Sequence, residues 1–324
     1  MTSLPVVPRR VGLALVALLL TAGLLPATAA PASAEEELPV PYTFLTSAIL
    51  AGTQLDASPP GANDWDCRPT RRNPRPVVLV HGLLGNRNTN WQTMSPLLKN
   101  NGYCVFALTY GVSPSQPVGL DQFGGLTRIQ RSARELKRFV ARVRSATGAE
   151  QVDIVGHSEG TVVPNYYAKF LGGGQLIRRY VAIAPLWSGT NAAGLGTLST
   201  TARAFGLGAV VEAVFAPFFA SGPQLLAGSD FWRKMRRGGG PAVPGVDYTN
   251  IVTEYDQLVT PYTSGIEKGM RNHVLQEICP VDLSEHFQVV ASPTTAQLML
   301  NALAPRRAQP VECQPVLPYV GTPG

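Results

Sequence analysis

A β-branched run that leads into a serine flanked by glycines, residues 152–167, constrains the fold of this chain more than any other stretch. Residues 152–155 predict a short buried strand, and the next five, Gly156 to Gly160, fit the G-x-S-x-G pattern of a nucleophile elbow. A turn this tight between strand and helix has no room for side chains at both flanking positions, so the two glycines lift Ser158 above the sheet. The pentapeptide alone also fits an ordinary serine in a turn, so the rest of the chain has to decide.

The first 34 residues have the three parts of a secretory signal peptide. Arg9 and Arg10 form the basic start, residues 11–25 form the apolar centre, and Ala32-Ser33-Ala34 is a small-residue cleavage site. A membrane anchor is the alternative, but 15 apolar residues fall short of the roughly 20 that span a bilayer. We therefore expect a secreted, extracellular protein without a stable membrane anchor, exported by the general or the twin-arginine route.

Removing residues 1–34 leaves 324 − 34 = 290 residues, enough for one large α/β domain over residues 35–324. The formal charge falls from +6 to +4 because Arg9 and Arg10 are lost. Apolar residues recur at spacings of four and three through the basic stretch 128–144, which is typical of the solvated face of an amphipathic helix. We therefore do not expect the protein to bind nucleic acid. We expect it to be a monomer.

Four cysteines in an exported chain predict two disulfides, because the compartment is oxidising and the number is even. Of the three possible connectivities, Cys67–Cys104 with Cys279–Cys313 is favoured, since both bridges close moderate loops beside predicted strands. Neither pair has the C-x-x-C spacing of a zinc or redox site, so no metal is expected.

Predicted strands alternate with predicted helices along the chain. Apolar runs that predict strands lie at residues 76–80, 104–108, 180–185 and 248–253. Segments that predict helices lie at residues 91–101 and 127–145, and a further helix follows the elbow. This order predicts the α/β class, with a mostly parallel, doubly wound sheet and helices on both faces.

Near the carboxyl end the pattern leaves one alternative open. Residues 272–279 are predicted to be the last strand, although residues 274–278 also fit a helix. Ser292 before Pro293 is typical of a helix start, and it predicts a helix over residues 294–303.

The most apolar irregular stretch, residues 186–245, follows the strand predicted at 180–185. It could be plain core, but a segment inserted at this point could equally line an acyl pocket or form a lid over the mouth of the sheet. The candidates for pocket lining are Phe205, Leu207, Val211, Phe215, Phe218 and Phe219.

A serine in a nucleophile elbow needs an acid and a histidine as partners, and few residues of this chain lie at suitable positions. In G-x-S-x-G hydrolases the order along the chain is Ser, then Asp or Glu, then His, each on a loop at the carboxyl end of a strand. Downstream of Ser158, His273 lies at the start of a predicted strand whereas His286 follows that strand, so His286 is the predicted base. Asp256 directly follows a strand and is the predicted acid, with Glu254 as the alternative.

The loop after the first strand begins with His81 and Gly82. A loop with glycines here can turn a backbone N–H towards the mouth of the sheet, where acyl transfer needs an oxyanion donor. An ordinary loop start is the alternative. The N–H of Glu159, directly after the serine, is the expected second donor.

Between residues 76 and 303 the chain contains six short motifs. They are HGLLG at 81–85, GHSEG at 156–160, PNYYAKFLGG at 164–173, AGSDFW at 227–232, YDQLVTPY at 255–262, and EICP followed by EHF up to 287. With these motifs the chain resembles the secreted bacterial lipases of the class 2 type, which are triacylglycerol lipases and esterases of the α/β-hydrolase fold. Glu159 stands where similar enzymes often have glutamine or methionine, which could alter the response to pH.

The resemblance implies the site residues and the cysteine pairing together. Ser158, Asp256 and His286 would be the catalytic triad, and the N–H groups of Leu83 and Glu159 would be the oxyanion donors. The favoured pairing, Cys67–Cys104 and Cys279–Cys313, is also the one that the family implies. Neither a metal nor another cofactor is implied.

Three functions are compatible with these residues. The leading hypothesis is hydrolysis of carboxylic esters with apolar acyl groups, through an acyl-enzyme on Ser158, with a lipid or ester substrate met at a lipid–water interface. The alternative is an acyltransferase that passes the same acyl group to an alcohol or sugar of the cell envelope. A non-catalytic protein with a decayed hydrolase fold is disfavoured, because the Ser, Asp and His set is intact.

Overall fold

The computed structural model describes residues 1–2, 36–54, 56–117, 119–191 and 220–322. The chain divides into two units, Met1–Glu36 and Glu37–Gly324. In the first unit only Met1, Thr2 and Glu36 are described, and none of them lies in a helix or strand. The predicted signal peptide, residues 1–34, therefore lies almost wholly outside the described residues, and the fold below is that of the second unit.

A six-stranded parallel sheet forms the centre of the second unit. Its strands are β1 (Val77–Val80), β2 (Val105–Leu108), β3 (Val152–His157), β4 (Ile177–Ile183), β5 (Asp247–Val252) and β6 (Arg271–Val274). The strand order is β2-β1-β3-β4-β5-β6, and every neighbouring pair is parallel, as predicted. The order reverses between β1 and β3, and sheets of this kind bind ligands outside the carboxyl ends of their strands at such a switch point.

Both faces of the sheet are covered, which explains why β1 and β2 are apolar and buried at every position. Helices of the described residues are α1 (Phe44–Gly52), α2 (Met94–Asn100), α3 (Ile129–Thr147), α4 (Val162–Phe170), α5 (Gly222–Leu225), α6 (Asp230–Met235), α7 (Leu275–Ile278) and α8 (Pro293–Leu303). In β1, Val78 and Val80 join the core that contains the apolar side of α3 and α4. Val77 and Leu79 join the core on the other face, with α2 and α8.

The basic stretch around α3 is the amphipathic helix that its spacing predicted. Ile129, Ala133, Leu136, Val140 and Val143 are fully buried on the side that faces the sheet. The arginines and lysines between them lie on the outer side, which is mostly exposed. The charge of this stretch is therefore a solvated helix face.

The predicted last strand is wrong over its second half. β6 ends at Val274, which pairs with Val252, the last residue of β5, so a longer strand would have no partner. The chain instead turns into α7, whose final bond runs from the N–H of Cys279 to the carbonyl of Leu275 at 2.7 Å. The predicted start of α8 is confirmed, since Ser292 Oγ accepts the N–H of Thr295 at 3.2 Å.

Two disulfides tie the edges of this domain together, in the pairing that the sequence favoured. Cys67–Cys104 joins the segment before β1 to the start of β2 and closes 37 residues. Cys279–Cys313 joins the end of α7 to the carboxyl-terminal segment and closes 34 residues. No free cysteine remains.

Removing the first bridge should destabilise the protein without changing its fold. We expect Cys67→Ala combined with Cys104→Ala to lower the free energy of unfolding by about 2–4 kcal/mol, mainly because the unfolded chain gains freedom. Urea denaturation measures this difference. A reductant should shift the wild-type midpoint further than that of the variant, and equal midpoints of variant and wild type without reductant would contradict the expectation.

The apolar segment 186–245 is described only at its two ends, residues 186–191 and 220–245. In the second of these, Leu225, Phe231, Trp232 and Met235 of α5 and α6 are buried in the core on the α3 and α4 side of the sheet. This end of the segment is therefore core. The pocket candidates Phe205, Leu207, Val211, Phe215, Phe218 and Phe219 all lie outside the described residues.

Candidate active site

Ser158 follows β3 directly, at the carboxyl end of the central strand and beside the switch point. Its φ of 55° is in the left-handed region, which non-glycine residues adopt rarely and mainly at functional turns. A Cβ on Gly160 would lie 2.0 Å from the carbonyl oxygen of Val80, and one on Gly156 would lie 2.3 Å from the carbonyl oxygen of Gly160. Both glycines are therefore required by the close approach of two backbones.

The structure brings His286 between Ser158 and Asp256. Nε2 of His286 lies 2.9 Å from Oγ of Ser158, and Nδ1 lies 2.9 Å from each carboxylate oxygen of Asp256. An ionised carboxylate only accepts hydrogen bonds, so Nδ1 carries the proton and Nε2 is free to accept the proton of the serine hydroxyl. This is the geometry by which an imidazole activates a serine.

Asp256 is held by the turn on which it lies. Its Oδ1 accepts the N–H groups of Leu258 and Val259, at 2.9 and 2.7 Å. Asp256 and His286 are 8% and 2% exposed, so bulk water does not compete for their hydrogen bond. The backbone of the turn thus fixes the carboxylate opposite the imidazole.

The loop that carries His286 is tied to the loop that carries Asp256. The hydroxyl of Thr253 donates to the carbonyl of Ser284 at 2.6 Å. The N–H of His286 donates to Oε1 of Gln257 at 3.2 Å. Because Thr253 and Gln257 flank Asp256, the two loops approach the serine as one assembly.

Two backbone N–H groups beside Ser158 are available to a ligand. Ser158–Thr161 is a 3₁₀ helix, and the first N–H groups of a helix, here that of Glu159, have no acceptor inside the helix. In the loop after β1 the N–H groups of Leu84 and Gly85 donate to carbonyls, whereas that of Leu83 has no acceptor among the described residues. Leu83 and Glu159 therefore have N–H groups without an acceptor among the described residues, and their role as oxyanion donors stays a prediction.

The two donor residues both lie close to Gly125. A Cβ on Gly125 would be 3.0 Å from Cα of Leu83 and 3.1 Å from Oε1 of Glu159. In the loop after β1, a Cβ on Gly82 would be 3.2 Å from Cβ of Ser158. The loop after β1 therefore borders the serine directly, where an oxyanion would form during attack on a carbonyl.

The side chain of Glu159 is fully buried next to these donors. Burial raises the pKa of its carboxyl from 4.5 to about 8, against smaller lowering effects of Ser221 and Tyr110. The Tyr110 hydroxyl lies 3.3 Å from Oε1, while Oε2 has no hydrogen-bond partner among the described residues. At neutral pH this carboxyl is therefore mainly an uncharged acid.

Two further histidines support the loops around the serine. The ring of His81 stacks on Tyr110 with centroids 4.2 Å apart, and its Nδ1 donates to the carbonyl of Gly82 at 2.8 Å. Nε2 of His157 donates to the carbonyl of His286 at 3.0 Å. Burial lowers the pKa of His81 to about 4 and that of His157 to about 3, so both rings are neutral.

Glu254 and His273, the alternatives for the acid and the base, have other surroundings, and Asp282 on the His286 loop has partners of its own. Glu254 is exposed, and its backbone N–H donates to Oε1 of Gln276 at 2.9 Å. His273 lies within β6, half-buried. Asp282 is fully buried and accepts the hydroxyl of Ser292 at 2.6 Å, which ties the His286 loop to the start of α8. Neither Glu254 nor His273 thus forms a hydrogen bond with Ser158.

The sequence reasoning missed Tyr110, which lines the site from the carboxyl end of β2. Its hydroxyl donates to the carbonyl of His81 at 2.8 Å, so it links the loop after β1 to Glu159. Its position two residues after a predicted strand was a usable signal, because the carboxyl ends of parallel strands share one edge. Among the described residues, no group of three or more His, Cys, Asp or Glu side chains is arranged to hold a metal ion.

The family model described as Lipase (class 2) matches residues 74–299 of the 324 residues. This range contains the loop after β1, the elbow, the Asp256 turn and the His286 loop. It leaves out the first 73 residues, among them the predicted signal peptide.

Solved structures of two lipases are similar in fold. Lipase B of Aspergillus fumigatus has a TM-score of 0.56 at 19% identity, over 79% of this chain and 56% of that one. The mature form of lipase BlEst2 from Bacillus licheniformis has a TM-score of 0.51 at 15% identity, over 73% of this chain and 94% of that one. The chain thus spans little more than half of the fungal lipase. At these identities the likeness concerns the fold, and the expected α/β-hydrolase fold is confirmed.

Proposed function

The chain belongs to the class 2 lipase family, and on that premise we propose that it hydrolyses carboxylic esters with apolar acyl groups through an acyl-enzyme on Ser158. One observation carries the proposal: His286 bridges Ser158 and Asp256 with hydrogen-bond distances of 2.9 Å on both sides. A serine hydroxyl is a weak nucleophile by itself, and this bridge supplies the base that activates it.

In the first half of the reaction, Ser158 Oγ attacks the ester carbonyl while Nε2 of His286 takes its proton. Asp256 accepts the hydrogen bond that Nδ1–H of His286 donates, and it stabilises the imidazolium that forms. The N–H groups of Leu83 and Glu159 donate to the oxyanion of the tetrahedral intermediate. When the intermediate collapses, the C–O bond to the alcohol breaks, and the imidazolium returns its proton to the leaving oxygen.

In the second half, a water molecule replaces the alcohol. Nε2 of His286 takes a proton from the water, whose oxygen attacks the acyl carbon on Ser158. The second intermediate breaks the bond to Oγ, and the proton goes back to the serine. The products are the carboxylic acid and the free enzyme, so the cycle needs neither a metal nor another cofactor.

We place this activity outside the cell. The sequence pattern of residues 1–34 supports export, and two disulfides support an oxidising compartment. Among the described residues no helix has the length and apolar character to cross a bilayer. We expect the enzyme to act as a monomer on ester substrates dispersed in water or assembled at a lipid surface.

Covalent labelling tests the proposed nucleophile. An organophosphate ester that phosphorylates active serines should add one phosphoryl group to the peptide that contains Ser158, in step with the loss of ester hydrolysis. Mass spectrometry of the digested protein locates the label. Complete inactivation with the label on another residue would refute the proposal.

Acyl-chain preference is the second test. We expect kcat/KM to rise with acyl length, by at most about fourfold for each CH₂ group that becomes buried, because each contributes about 0.8 kcal/mol. A series of p-nitrophenyl esters from two to sixteen carbons, below and above their solubility, measures this. The highest value at two carbons would contradict the preference for apolar acyl groups. Ester product formed with an added alcohol, in place of acid, would favour the acyltransferase alternative.

A further inference from the structure

A basic cleft of about 330 Å³ lies at the edge of the sheet opposite to Ser158. Its walls come from the start of β1, β3 and β4 and from the end of α8, whereas the triad lies at the carboxyl ends of the strands. Along β3, Asp153 in the cleft and Ser158 are five residues apart, roughly 16 Å. The cleft is therefore separate from the proposed active site.

Positive charge dominates this cleft. The lining guanidinium groups are those of Arg71, Arg72, Arg75, Arg179, Arg306 and Arg307. The cleft contains one carboxylate, that of Asp153, which accepts Nε of Arg75 at 2.8 Å and the backbone N–H of Arg179 at 3.0 Å. Six positive charges thus face one negative charge.

Unlike Arg75, which donates to Asp153, the other two arginines that are held in place, Arg179 and Arg307, donate to uncharged acceptors. Arg179 donates to the carbonyl of Leu303, and Arg307 donates to the carbonyl of Arg72 at 3.1 Å and to Oδ1 of Asn73 at 2.6 Å. These bonds position the guanidinium groups but leave their charge uncompensated. An anion in the cleft would relieve the mutual repulsion of these groups.

Three arginines at the rim are free to close on a ligand. Arg71, Arg72 and Arg306 are exposed, and their side chains have no hydrogen bond or ion pair with the other described residues. Tyr103 also lines the cleft and is only 4% exposed, yet its hydroxyl has no hydrogen-bond partner among the described residues. The cleft therefore combines uncompensated charge with a buried, unused donor.

We propose that this cleft binds a phosphate group, through the guanidinium groups of Arg71, Arg72 and Arg306 and the hydroxyl of Tyr103. Planar guanidinium groups match the oxygen geometry of phosphate, and several of them around one concave site favour its negative charge. Nucleic acid is a poorer fit, because Tyr103 is the single aromatic side chain in the lining and is too buried to stack on a base. Binding here would leave the triad open to substrate.

The phosphate could belong to a soluble compound or to a lipid headgroup, and one set of experiments separates the two. Titration calorimetry with inorganic tripolyphosphate should show saturable binding to one site, weakened by salt. Sedimentation with vesicles of phosphatidylglycerol, against vesicles of phosphatidylcholine, measures binding to headgroups. In the variant Arg71→Gln/Arg72→Gln/Arg306→Gln we expect binding of the phosphate source to weaken by about tenfold or more.

A control variant with the same change of charge distinguishes a site from general attraction. Arg134, Lys137 and Arg138 are exposed on the outer side of α3, and their joint replacement by glutamine removes the same three charges. The proposal expects this control to bind within about twofold of wild type. Hydrolysis of a soluble short ester should be the same in all three proteins.

Each outcome decides the proposal. Binding of tripolyphosphate that only the cleft variant loses supports a soluble phosphate ligand. Binding of phosphatidylglycerol vesicles alone, again lost only in the cleft variant, supports a lipid headgroup. Equal weakening in the cleft variant and the α3 control, or no binding of either probe to the wild-type protein, would overturn the proposal.

Discussion

Replacing Ser158 or His286 by alanine should lower kcat for ester hydrolysis by about 10⁴-fold or more. The two residues act as one unit, because the hydroxyl is a poor nucleophile unless Nε2 of His286, at 2.9 Å, takes its proton. The double variant should therefore be no slower than either single variant. Steady-state kinetics with a short p-nitrophenyl ester measures all three, and thermal unfolding shows whether each variant is folded.

His273→Ala is the matched control for the histidine replacement. His273 is half-buried in β6, outside the hydrogen-bonded set of Ser158, His286 and Asp256. We expect its replacement to leave kcat within about twofold of wild type. If His273→Ala abolished turnover while His286→Ala retained it, the proposed base would be wrong.

The proximity of Ser158, Asp256 and His286 could be predicted from sequence because the loops after parallel strands lie at one edge of the sheet. Ser158 follows β3, Asp256 follows β5, and His286 follows β6 and α7, and their order along the chain is that of G-x-S-x-G hydrolases. The side-chain distances then follow from the loops that carry these residues. The local spacing of apolar residues was sufficient for this prediction, because it indicates where strands end.

The end of β6 and the surroundings of Glu159 could not be predicted in this way. A short apolar run such as residues 272–279 fits both a strand and a helix, and the length of the neighbouring strand β5 decides the outcome. The carboxyl of Glu159 contacts Tyr110, which is 49 residues away along the chain. The contact itself has no local sequence signal, although the position of Tyr110 after a predicted strand indicates the edge of the sheet at which it lies.

The basic cleft was missed for the same reason. Its lining is assembled from residues 71–75, Tyr103, Asp153, Arg179 and residues 303–307. In the sequence, Arg71, Arg72 and Arg75 look like one basic patch among several, and only the fold places them opposite the end of α8.

Ester hydrolysis by the wild-type enzyme should slow at alkaline pH, whereas the Glu159→Gln variant should keep its rate. Burial raises the pKa of Glu159 to about 8, so the carboxyl is neutral below this value and negative above it. The negative charge would lie beside the N–H groups proposed to stabilise the oxyanion, and like charges repel. Glutamine keeps the shape of the neutral acid but cannot ionise.

Among the described residues, the tyrosine that contacts Glu159 and the histidine stacked on it supply no compensating charge in this range. Tyr110, which contacts Oε1, has a pKa raised well above 10 by burial, so it is neutral. His81, stacked on Tyr110, has a pKa lowered to about 4 by burial, so it is neutral too. The charge that appears above pH 8 therefore belongs to Glu159 itself.

The free energy of unfolding should also depend on the ionisation of Glu159, and it should fall as the pH rises. The native carboxyl holds its proton up to about pH 8, whereas the unfolded chain releases it near the ordinary value of 4.5. The contribution of this carboxyl to stability is thus complete below about pH 4.5 and is lost as the pH rises to about 8. The loss would amount to about 5 kcal/mol at most, and Glu159→Gln should remove it.

Two pH series test this prediction together. Above pH 8 we expect wild-type kcat to fall by up to about tenfold for each pH unit, while the Gln variant stays flat. Urea denaturation between pH 5 and pH 9 should give a stability that declines in wild type and declines less in the variant. Glu254→Gln, at an exposed position, is the control and should follow wild type in both series. If Glu159→Gln followed wild type as well, the buried carboxyl would not be the group that titrates.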